Sequence, residues 1–280
     1  MITRAGVIAF LVMLSTATMA AREGSAPVDS VDWTRGVVVS HGTGRVMISE
    51  KGRPLERYGR QAISLNRGRI EAYRAARDRA VEKMYRLLGR VRIDADTLLD
   101  ELLERDPIFQ SRITDVVSER TRFREFPVGF DGSGCSAELR IGDILLAVPY
   151  RYPEEPFPSR IDNPIPTDYT SLVIDARGLG VEPMILPSVF DENGLEVYGR
   201  HMVDIRHATR FGIVRYAGTE DEAMGHRVAG DRPYYTVALR NLKGCPVLAD
   251  RDVRKILSSA RTLENLKKCR VIFIIGQIEN

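Results

Sequence analysis

The clearest pattern of apolar and polar positions runs through residues 66–92. Ile70, Tyr73, Ala76, Ala80, Met84, Leu87 and Leu88 recur at steps of mostly three and four, so they share one face of a predicted helix, with Arg and Glu opposite. Ala72, Ala75, Ala76 and Ala80 favour the helix and admit a close neighbour. Gly89 marks its expected end. Ahead of it, Val37, Val38 and Val39 predict a strand within 33–40. The HGTG run at 41–44 predicts a hairpin turn, with 46–48 as the return strand. Residues 51–60 are charged, contain Pro54 and read as a loop. Residues 91–93 read as a short strand or link. Asp96 is a candidate cap for a helix over 97–104, and Asp106-Pro107 for a second one that carries Ile113, Val116 and Val117 inward. Phe123, Phe126 and Val128 then suggest a strand, DGSG at 131–134 a turn, and 137–149 a strand region bent at Gly142-Asp143. This half therefore reads β-β-α-α-β-β, two helices packed on one face of a mainly antiparallel sheet.

Five prolines in residues 150–168 forbid a regular helix and predict a stiff, extended linker. Beyond it, SLVID at 171–175 predicts a strand that feeds the loop ARGLG. DENG at 191–194 predicts a hairpin turn with its return strand at 195–198. Strands are expected at 211–216 and 234–239, and helices at 250–259 and 263–268. The apolar run at 270–275 predicts a strand buried on both faces in the middle of a sheet. The fold class expected is α+β, with two α/β-layer domains at 33–149 and 169–280.

Charge and the termini refine this picture. A net charge of +3 over 280 residues gives no basic excess for nucleic acid. Arg4, the apolar run at 5–14 and the small residues through Ala20 and Ala21 predict a signal peptide at 1–21, followed by a flexible mature N-terminus at 22–32. There is no cysteine beside the cleavage site to carry a lipid, and no later stretch is apolar enough to span a bilayer. The expectation is a soluble, non-lipidated periplasmic protein without a transmembrane segment in its mature chain. Of the three cysteines, Cys245 and Cys269 are the preferred disulfide pair with Cys135 free; three buried thiols is the other reading.

Candidate chemistry is sparse. No GxSxG, HExxH or complete phosphate loop occurs, and no cofactor or metal set is predicted. Asp175, Arg177, Gly178 and Gly180 sit where a strand feeds a loop, a frequent place for ligands or partners, although a structural turn is the favoured reading. A competing, ligand-binding or enzymatic (hydrolytic) reading of the second half has Asp175, Arg177, Asp191 and Glu192 converging on a polar cleft, with His201 or His207 as acid or base. A strand through this region would put both histidines on one face with Asp204 between them.

Asn66 to Ala72, Arg74 to Ala76, Ala80, Leu87-Leu88 and Val91 to Asp94, followed by a second helix and paired strands up to Val148-Pro149, resemble the N-terminal domain of flagellar assembly protein T and related outer-membrane-associated lipoproteins. The resemblance covers roughly residues 33–149. It implies a non-catalytic, periplasmic α+β module. It also implies work by protein–protein contact in a flagellar or outer-envelope assembly, with basal-body or other envelope proteins, or a second copy, as partners.

Overall fold

A computed structural model describes residues 28–58, 61–149 and 166–276. The predicted signal peptide, the 22–27 part of the expected flexible segment and nearly all of the proline-rich linker lie outside these residues. The chain is α+β, with helices packed on an antiparallel sheet in the first half and a parallel sheet in the second.

The first half opens with β1 (Ser30–Asp32), which pairs with β2 (Val37–Arg45), so residues 30–32 are ordered strand where a flexible tail was expected. A small hairpin of β3 (Met47–Ile48) and β4 (Pro54–Leu55) follows. Helix α1 (Leu65–Gly89) starts where Ser64 accepts a hydrogen bond from Arg67 N. Helix α2 (Leu99–Arg105) begins two residues later than predicted, with Leu98 rather than Asp96 at the N-cap position, where its N–H donates to Glu101 Oε2 at 3.3 Å. Helix α3 (Pro107–Arg120) starts as expected, with Asp106 Oδ1 accepting from Ile108 N at 2.9 Å and Phe109 N at 3.1 Å. Strands β5 (Arg122–Val128) and β6 (Gly132–Arg140) complete an antiparallel sheet of order β1-β2-β6-β5. The β5–β6 turn lies earlier than DGSG predicted: Gly129 takes the positive φ and Gly132 is already strand. The strand expected through 149 stops at Arg140, where the chain turns into the short α4 (Ile141–Ile144).

HGTG is not a turn. β2 runs straight through it, pairing residue for residue with β6 as far as Arg45↔Gly132. Ser40, Gly42 and Gly44 fall on one face by the two-residue strand period and meet Ala80, Ala76 and Ala72 of α1. Two strand residues advance about 6.6 Å and four helix residues about 6 Å, so the small side chains stay in register over two helical turns. Ser40 Oγ donates to Ala80 O at 2.7 Å. A Cβ on Gly42 would lie 1.9 Å from Ala76 O, and one on Gly44 2.0 Å from Ala72 O. Glycine is needed there because two backbones touch, a demand that looks the same in sequence as a turn. The buried stripe of α1 is Gly68, Ala72, Ala75, Ala76, Ala80, Met84 and Leu88; Ile70, expected in it, is exposed.

The second half contains β7 (Ser171–Asp175), β8 (Val189–Phe190), β9 (Glu196–Tyr198), α5 (Ile205–Phe211), β10 (Arg215–Ala217), α6 (Glu220–Gly225), β11 (Pro233–Val237), β12 (Arg240–Leu242), β13 (Cys245–Val247), α7 (Asp250–Leu257), α8 (Ala260–Lys267) and β14 (Val271–Ile274). Strands β10-β14-β7-β11 form a sheet whose neighbours are all parallel. β7 and β14 are buried along their whole lengths, as the unbroken apolar run in 270–275 predicts for an interior strand. β12-β13-β8-β9 form a second, mixed sheet. The strand expected at 211–216 is instead the end of α5 followed by β10.

The halves share a core. Leu139 and Ile141 of the first and Leu172 and Phe273 of the second belong to one buried apolar cluster. Ile185 N and Leu186 N donate to Arg92 O and Ile93 O at 2.9 and 2.6 Å. Trp33 meets Tyr216 edge to face at 5.6 Å.

Candidate functional site

Two places in the fold have features of a site, the loop after β7 and the exposed end of the first half. The loop begins at Asp175, the last residue of an interior parallel strand, a common location for ligands. Its carboxylate is already held by the protein. Arg177 Nε donates to Oδ1 at 2.9 Å, Arg177 Nη2 to Oδ2, and Tyr235 Oη to Oδ2 at 2.8 Å. The Arg177 guanidinium, more than any other neighbour, holds Asp175 down to about 2 against the opposing effect of burial. Burial, followed by the hydrogen bond to Asp175, pushes Tyr235 up to about 12. A carboxylate so weakly basic and a phenol so weakly acidic are far from the range suited to proton transfer near neutral pH. Gly178 and Gly180 both have positive φ and shape the turn, and Asn241 Nδ2 donates to Leu179 O at 3.1 Å and to Gly180 O. Asp175, Arg177, Gly178 and Gly180 therefore come together as one braced turn.

The remaining residues of the enzymatic reading do not join that turn. Asp191 Oδ1 accepts from Asn193 N and Leu195 N at 2.9 and 2.8 Å, which closes the DENG hairpin. Glu192 is exposed. His201 lies in a turn and His207 on α5, so the shared strand face expected for them does not exist. Asp204 caps α5 through Arg206 N at 2.9 Å. Among the described residues no cluster of His, Cys, Asp and Glu has the arrangement of a metal site. The preferred Cys245–Cys269 pairing is not formed: all three cysteines are free and buried. Cys245 Sγ lies 3.7 Å from Met184 Sδ, while burial raises the Cys269 thiol to about 12. Each thiol serves as a small apolar group in the core.

The sequence reading missed the other place. α1, the end of β2, the β3–β4 hairpin and the segment after it border a groove of about 210 Å³. Gly68, Ala72 and Ala75 lie along it, and Arg45, Arg57, Arg79, Met47 and Tyr58 rise around it. Glu71, which accepts from Arg57 N at 2.7 Å and pairs with Arg67, is the one carboxylate among the described residues of its lining. Small side chains on α1 leave the space open, and the hairpin walls one side of it. Val46 N donates to Asp131 O at 2.8 Å, which brings Phe130 to the same end of the molecule. Tyr58 is 87% and Phe130 82% exposed, with Met47, Ile48 and Ile70 more than half exposed. Arg69 lies over the Phe130 ring at 5.6 Å. Arg57 pairs with Asp78 at 2.9 Å, whereas Arg45 and Arg79 have no carboxylate partner among the described residues. The only signal in the sequence was the crowding of arginines around isolated apolar residues, which an ordinary solvated helix face also shows.

Fold and sites thus define an α+β chain with a turn braced by Asp175, Arg177 and Tyr235 in its second half and an arginine-rimmed groove in its first. No helix among the described residues is long and apolar enough to cross a membrane. Residues 171–277 match the family described as Treponema pallidum Tp0624, second domain. No curated protein sequence matches the chain.

Proposed function

We propose that this protein is a non-enzymatic component of the bacterial envelope. In this reading it is exported to the periplasm and acts by protein–protein contact in an outer-envelope or flagellar assembly, with the groove beside α1 as its contact surface. The observation that carries the reading is the groove itself: an apolar floor, exposed Tyr58 and Phe130 beside it, and arginines around it. Aromatic and arginine side chains clustered about a concave apolar patch are what anchors of a protein interface look like. The chemistry selects a partner segment with an apolar anchor flanked by Asp or Glu, which would pair with Arg45 and Arg79.

The envelope assignment rests on the leader-like pattern of residues 1–21 and on the resemblance of residues 33–149 to periplasmic assembly modules. The match of residues 171–277 to a domain of a Treponema protein agrees with a bacterial setting. Chemical crosslinking in intact cells, followed by purification from the envelope, tests the proposal. It predicts a discrete adduct with an envelope protein that disappears in Arg45→Glu/Arg79→Glu. A chain that stays unlinked in intact envelopes, or an adduct indifferent to that charge reversal, would remove it.

A further inference from the structure

A second concave site lies where the two halves meet. It is a partly enclosed cavity of about 70 Å³ between the β1–β2 connection, α4, the end of α5 and the start of β10. Four arginines line it: Arg35 and Arg140 from the first half, Arg210 and Arg215 from the second. The first two already have carboxylates. Arg35 pairs with Glu138 at 3.1 Å, and Arg140 grips Asp143 through Nε and Nη2 at 2.9 and 2.6 Å. The other two flank the Phe211 ring, with guanidinium carbons 5.0 and 5.5 Å from its centroid. Neither has a carboxylate within ion-pair distance among the described residues.

Arg215 is the anomaly. Its Nε is buried without a hydrogen-bond partner. A Cβ on Gly36 would come within 3.2 Å of its Nη1, so the absence of a side chain at Gly36 leaves room for the guanidinium at the cavity. Its burial disfavours the charged form. A half-buried cation without a counter-charge is unfavourable, and its orphaned buried donor calls for a partner. Water can satisfy the donor but does not neutralise the charge.

We infer that this cavity binds one small oxyanion, a phosphate or carboxylate group, held chiefly by Arg215 with Arg210 and Arg35 around it. The volume admits a group of that size and little more. Guanidinium forks match both anions in geometry. Because its walls come from both halves, the bound anion acts as a clamp between them. The site is separate from the groove beside α1 and does not depend on the protein-contact reading.

The test is titration of the full mature chain with inorganic phosphate and, separately, acetate, against sodium chloride at equal ionic strength. Thermal unfolding and calorimetry supply the readouts. The inference predicts one site per chain and a Tm that rises with the logarithm of anion concentration. Stabilisation mainly by phosphate identifies a phosphoryl ligand, and mainly by acetate a carboxylate. Arg215→Gln is expected to weaken binding roughly tenfold or more, the loss of one charged hydrogen-bond partner. Arg35→Gln, at an exposed residue that leaves the fold intact, should weaken it by a smaller factor and serves if Arg215→Gln does not fold. No gain over chloride for either anion would overturn the inference. Equal gain in wild type and in the folded arginine variants would overturn it as well.

Discussion

The two halves use glycine and charge in opposite ways. In the first, Gly42 and Gly44 sit inside a strand because helix α1 presses its backbone against them, and many arginines stay at the surface around a groove. In the second, Gly178 and Gly180 sit in a turn at positive φ, and the nearby carboxylates are engaged by the chain's own donors. Asp252 follows the same rule, accepting from Tyr234 Oη at 2.7 Å and Thr236 Oγ1 at 2.6 Å. A half whose loop carboxylates are held by its own donors is built chiefly as a scaffold, with the unpartnered Arg215 as the exception. A half that leaves cations and aromatic rings at its surface offers the kind of patch that the proposed contact requires.

The comparison breaks first at its glycines. Gly42→Val would drive a side chain into the Ala76 carbonyl and separate α1 from the sheet, a loss of about 3–5 kcal/mol. Gly178 has nothing within 4 Å of an added Cβ, so Gly178→Ala bears only the strain of a positive φ, about 1 kcal/mol. Urea midpoints should separate the two clearly; similar losses would mean that α1 does not rest on β2 as described. Ala80→Leu is next, since Ala80 is fully buried against Ser40, and overpacking there should cost about 1–3 kcal/mol.

The scaffold half is tested by acid. Asp175 titrates near 2 when folded, below the ordinary value of about 3.9 expected for the unfolded chain. Its contribution, about 1–2 kcal/mol, is complete above pH 4 and is lost as the pH falls toward 2. Asp175→Asn should therefore lower stability at pH 7 and flatten the pH dependence between 4 and 2. The smallest effect is expected of Arg77→Ala. Arg77 is exposed and lies 4.1 Å from the centroid of the Phe123 ring, so its removal should cost about 0.5 kcal/mol.

What the sequence revealed depended on how local each signal was. The Asp106-Pro107 cap, the DENG hairpin and the interior strand near the C-terminus each follow from a few adjacent residues, and each is in place. HGTG misled because glycine serves a turn and a close contact alike, and only the partner helix decides between them. α5 was missed because its seven residues are too few for a helical period to stand out. The Asp175–Arg177 turn was legible as a unit, but its bracing by Tyr235, sixty residues away, was not. Neither arginine site was visible, since Arg45 with Arg79, and Arg35 with Arg215, meet only through tertiary packing.

The proposed division into a contact half and a scaffold half is tested most directly by taking whatever envelope protein the crosslinking captures and measuring its Kd for two variants side by side. Arg45→Glu/Arg79→Glu should bind at least about tenfold more weakly while keeping the wild-type Tm, and Asp175→Asn should bind normally with a lowered Tm. Unchanged binding by the arginine variant, or weakened binding by Asp175→Asn at a temperature where it remains folded, would contradict the account.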